Sequence, residues 1–95
     1  MWCGVCMELE DLRKQIDELD CELLEVISRR LALMPMVADV KREQNAPVNQ
    51  EDREHELMMS MRKMAQERGM SADFVERIMR EIITESKRIQ ERSMI

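Results

Sequence analysis

Arg30 stands where a leucine or valine is expected. Leu9, Leu12, Ile16, Leu19, Leu23, Val26, Arg30, Leu33, Val37 and Val40 recur at alternating steps of three and four. This spacing belongs to one face of a long helix packed lengthwise against another. A guanidinium on such a face costs several kcal/mol unless an anion meets it. No Asp or Glu lies three or four residues from Arg30, so the anion has to come from another helix or from a ligand. Lys41 follows eleven residues later. On one unbroken helix that is within about 20° of the same face and about 16 Å along the axis, so the two long cations can clamp a small dianion. Arg13 precedes Arg30 by seventeen residues, roughly 25 Å along the helix and about 100° around it. One straight helix cannot bring both to a small ligand. Two long helices packed antiparallel can, and symmetry then makes two shared sites per dimer.

Other polar residues interrupt apolar faces in the same way. Glu54, with Arg53 beside it, opens the stripe of a second helix. Ser86 and Gln90 are four apart and continue the Met79–Ile83 stripe of a third. Singly, each has an ordinary structural explanation: a cross-helix ion pair, a carboxylate favouring a helix start, a polar group facing water. Jointly, four cations, a carboxylate and an amide on three converging faces point to a small anionic ligand inside a helical bundle. The cysteines point elsewhere and less far. Cys3 and Cys6 form a C-x-x-C, but only Met1 precedes Trp2, leaving no strand for a thioredoxin-like context. Cys21 and His55 are too scattered to complete a zinc site. No metal and no cofactor are expected.

The elements that must position these residues are helices. The 95 residues carry a net charge of −5, are 37% charged and 44% hydrophobic, and include two Gly, two Pro and 2% aromatics. That apolar share excludes a disordered tail, and so few turn residues exclude a sandwich or barrel. The acidic balance argues against nucleic acid and anionic membranes as partners, and no apolar run approaches a membrane span. A cytoplasmic protein is expected. An all-α fold of three helices follows, one long and two shorter. The first spans about Glu8 to Gln44, kinked by Pro35. The second spans about Gln50 to Arg68 with Asn49 as N-cap, and Gly69 ends it. Ser71 caps the third, which runs to about Glu91. Residues 1–7 form a tail and 8–95 the helical domain. A chain this short encloses a deep pocket poorly on its own.

The segments Leu12–Asp20, Ser28–Ala32, Val37–Lys41, Pro47–Glu54 and Ile82–Ser86, leading to Gln90, resemble the all-helical chorismate mutases in order, spacing and residue type. The resemblance covers roughly Leu9 to Gln90. It implies an intertwined homodimer with two shared active sites and the rearrangement of chorismate to prephenate, on the way to phenylalanine and tyrosine. That reaction is pericyclic and needs neither nucleophile nor metal. The resemblance further implies that Arg30 and a second copy's Arg13 hold the substrate carboxylates, assisted by Arg53 and Ser86. Lys41 and Gln90 would hydrogen-bond the ether oxygen, and Glu54 the ring hydroxyl. Gln50 stands where relatives often carry Asp and would act through its backbone N–H. Two departures are Pro35 between Arg30 and Lys41, and eleven methionines, which make an adaptable core. An isochorismate-pyruvate lyase shares the fold and the clamp but lacks a carboxylate at the position of Glu54. A non-catalytic helical dimerisation module is the remaining alternative.

Overall fold

A computed structural model describes residues 8–93, and these are helical with no strand among them. The helices are α1 (Leu9–Ala32), α2 (Met34–Glu43), α3 (Glu51–Glu67) and α4 (Ala72–Ser93). The described residues fall into two compact units that divide between Arg30 and Leu31. Cys3 and Cys6 lie outside the described residues, and Cys21 is an exposed free thiol.

The single long helix expected over 8–44 is interrupted once, at Leu33. Pro35 sits in the first turn of α2, where its missing N–H is tolerated, and the carbonyl four residues earlier loses its donor. Leu33 itself stays right-handed helical (φ −78°, ψ −16°), and its carbonyl accepts the N–H of Val37 at 3.0 Å. The interruption is therefore one residue long. The angular arithmetic linking Arg30 to Lys41 applies to an unbroken helix and does not carry across it.

In the first unit no residue of α1 is buried. Leu9, Leu12, Ile16, Leu19, Leu23 and Val26 are 43–61% exposed, so the seam is present as a pattern but uncovered within one chain.

In the second unit α4 packs against both α2 and α3. Met34, Ala38, Met58, Ala65 and Ile83 form the apolar core, joined by buried Ser86 and Gln90. Met34, Ala38 and Lys41 lie at steps of four and three on α2, hence on one face. That face, rather than the Leu33–Val40 row, is the buried one, and Leu33 and Val40 remain about half exposed. Phe74 and Ile78 of α4 are exposed too. Ala38 is fully buried where two helices meet closely, so Ala38→Leu is expected to destabilise the fold by about 1–3 kcal/mol through overpacking. Urea unfolding followed by circular dichroism measures the shift in midpoint.

Both α2 and α3 end in the same hydrogen-bonded turn. After α3, Met70 N–H donates to the Ala65 carbonyl (2.8 Å) and Gly69 N–H to that of Gln66 (3.1 Å). Gly69 is left-handed at φ 70°, the C′ role its position predicts. After α2, Ala46 N–H donates to Lys41 (2.8 Å) and Asn45 N–H to Arg42 (3.2 Å). Asn45 takes the left-handed conformation at φ 56°, which asparagine tolerates best among residues with a Cβ. At the start of α4, Ser71 Oγ accepts the Phe74 N–H at 3.2 Å as an N-cap. The cap of α3 differs from expectation. Gln50, not Asn49, is the N-cap residue and makes no side-chain cap bond, because the Asn49 side chain is engaged by α4.

Arg62 of α3 bridges to Asp73 and Glu76 of α4, each at 2.9 Å, and Arg80 adds a second cation on Glu76. The hydrogen bonds from Arg80 and Arg62 hold the Glu76 carboxyl below the usual carboxylate range. These pairs sit at the surface and tie helices together rather than supply much stability.

Candidate functional site

The site in the second unit begins from the turn at Asn45. By reversing the chain after α2, that turn brings the Val48 carbonyl back to the Lys41 side chain. Lys41 Nζ donates to Val48 O at 3.0 Å and to Gln90 Oε1 of α4 at 2.7 Å. These bonds fix the Gln90 amide with its oxygen towards Lys41. Its nitrogen donates to Met34 Sδ at 3.4 Å, a weak acceptor. Lys41 thus spends two of its three N–H donors and Gln90 one of two. Each has one N–H donor left.

Glu54, in the first turn of α3, forms an ion pair with Lys87 of α4 at 2.8 Å, both side chains about one-quarter exposed. Lys87 Nζ also donates to Asn49 Oδ1 at 2.8 Å. Burial pushes the Lys41 amine below its ordinary value, the Glu54 carboxylate pulls it back up, and Lys87 pushes it further down. Lys41, Glu54 and Lys87 therefore share one electrostatic neighbourhood.

The remaining candidates are distributed as follows. Ser86 is buried on α4, with its hydroxyl donating to the Ile82 carbonyl at 2.7 Å. Gln50 caps α3, its carbonyl accepting the Glu54 N–H at 3.0 Å while its side-chain amide donates to Pro47 O at 2.7 Å. Arg53 is exposed in the first turn of α3. Arg13 is exposed and Arg30 half-buried, both on α1 in the first unit. The second unit thus gathers Lys41, Glu54 and Gln90. Sequence reasoning missed Lys87, Asn49 and Met34. Lys87 lies three residues before Gln90, but among the many charges of α4 that spacing alone does not single it out.

No group of His, Cys, Asp and Glu among the described residues is arranged to hold a metal ion. What the arrangement offers is a half-buried ammonium hydrogen-bonded to a buried amide, with a neutralised carboxylate alongside. Such a set can bind an anion and stabilise charge developing on an oxygen.

Comparison with known proteins converges on one family. The family model described as chorismate mutase type II matches residues 12–91. A chorismate mutase of Methanocaldococcus jannaschii is 30% identical over 83 residues, covering 87% of this chain and 84% of that protein. The T-proteins of Haemophilus influenzae and Enterobacter agglomerans are each 37% identical, over 82% and 83% of this chain. The chain spans only 21% of the length of either T-protein.

Proposed function

Because the chain belongs to the chorismate mutase type II family, we propose that it converts chorismate to prephenate in a site completed by a second copy. The observation carrying this reading is the Lys41–Gln90 hydrogen bond beside Glu54, at 2.7 Å, on residues matched by the family.

The reaction breaks an ether C–O bond as a C–C bond forms, within one molecule. Nothing is added or removed, so a nucleophile has no part. The barrier falls if the dianion is held in its compact conformer and if the ether oxygen meets donors as negative charge gathers there. Lys41 and Gln90 supply those donors, one N–H each. Glu54 accepts from the ring hydroxyl. Arg30, with Arg13 of the second copy, holds the carboxylates, and Arg53 and Ser86 assist. Gln50 contributes backbone N–H at the start of α3, where the helix dipole favours an anion.

The uncovered seam of α1 supports the dimer. A row of four leucines, Ile16 and Val26, each more than 40% exposed, gains most by burial against its own copy, antiparallel, which also puts Arg13 of one chain near Arg30 of the other. In this reading residues 8–95 are the catalytic domain, residues 1–7 lie outside it, and the location is cytoplasmic.

Incubation of the purified chain with chorismate and with isochorismate, alongside its solution mass, tests the reading. Prephenate from the first and a mass of two chains are expected. Pyruvate released from isochorismate, with chorismate untouched, would overturn it in favour of the lyase.

A further inference from the structure

A carboxylate is an awkward neighbour for a dianion. Glu54 nevertheless sits close enough to Lys41 to influence its protonation, in the place where the proposed substrate binds. The structure resolves this with Lys87. Its ammonium holds the Glu54 carboxylate at 2.8 Å and the Asn49 side chain at 2.8 Å, so α4 grips both the first turn of α3 and the loop before it. The pair is about one-quarter exposed, dry enough for its charges to matter more than those of a surface pair. With Lys41 and Lys87 against Glu54, the local sum is one positive charge. Without Lys87 it is zero, and the carboxylate has lost its ion-pair partner.

We propose that Lys87 is a positioning residue, which neutralises and orients Glu54 so that a dianionic substrate can be held against a carboxylate. The inference rests on the chorismate mutase reading. The Lys87 ammonium is already engaged by Glu54 and Asn49, so in this proposal its effect passes through that carboxylate. A simple staple between α4 and the α3 loop would act through folding instead, lowering stability without raising KM.

A kinetic double-mutant cycle separates the two. Lys87→Met is expected to lower kcat/KM for chorismate at least about tenfold, mainly through a raised KM, since the repulsion it unmasks acts on binding. Lys87→Arg, which keeps the charge, is expected to stay within about threefold of the parent. In a Glu54→Gln background, where no carboxylate remains to neutralise, Lys87→Met is expected to change KM by less than about twofold. If Lys87→Met fails to fold, Lys87→Gln keeps a donor for Asn49 without the charge and serves in both backgrounds. Equal losses in the two backgrounds, or no loss in the first, would overturn the proposal while leaving the mutase reading intact. A parent chain that does not turn over chorismate would overturn both.

Discussion

Replacing Arg30 by alanine is expected to reduce kcat/KM for chorismate about 10³-fold, close to 4 kcal/mol of transition-state stabilisation, while the solution mass stays that of two chains. Arg30 is half-buried at the one polar position of an otherwise apolar row, and truncation to alanine there removes a desolvated charge rather than a packed side chain. If Arg30 only supported the helical seam, alanine would leave turnover unchanged and alter the association of the chains instead. If it holds a substrate carboxylate, association survives and turnover collapses. Turnover and sedimentation measured on one preparation decide between these, and unaltered turnover would be incompatible with Arg30 as a substrate clamp.

Gln90→Glu is expected to be nearly inactive at neutral pH, by about 10²-fold or more, and to recover as pH falls. Gln90 Oε1 already accepts from Lys41 at 2.7 Å, and the nitrogen is the atom with a donor to offer. A glutamate at this position keeps the acceptor and has a donor only when protonated. The Lys41 ammonium beside it favours the ionised form while burial favours the protonated one, so the expected result is the direction, activity rising as pH falls. The parent protein has the opposite limb. Lys41 is needed charged, and burial holds its amine below the ordinary 10.5. Activity that depends on it is complete well below the folded value and is lost as pH rises through it, starting earlier than for a solvated lysine. A pH–rate profile of both proteins checks the pair of signs, and a Gln90→Glu enzyme indifferent to pH would remove Gln90 from the ether oxygen.

Much of this arrangement was legible in the chain because the exceptions were polar residues on apolar stripes. Ser86 and Gln90 continue the α4 stripe, and they are indeed buried. Gly69 and Ser71 announced the α3–α4 turn through chemistry that few residues share. What was not legible depends on reach rather than on periodicity. Lys87 looks like one more charge in a charged helix, and only its long stem bends it onto Glu54. Asn49 has the composition of an N-cap, and its diversion to Lys87 is a tertiary choice that local propensity cannot express. The long row from Leu9 to Val40 is a different case. It was read as one continuous helix face, yet α2 turns Met34 and Ala38 inward, because the helix that covers it within the chain is α4. Packing by α4 and the donor missing at Pro35 outweigh a register that looks uninterrupted in the letters.

The bare face of α1 carries a consequence for mass action. A 24-residue helix with no buried residue has little tertiary packing of its own to oppose its conformational entropy, and such packing is where most helical stability in proteins comes from. If its leucines find cover only on a second copy, the ordering of α1 and the completion of the site are one event, second order in chain. Stability then has no value apart from a protomer concentration. Under that condition dilution would act as a denaturant, dispersing the proposed arginines of the site before any bond within the α2–α4 unit is broken.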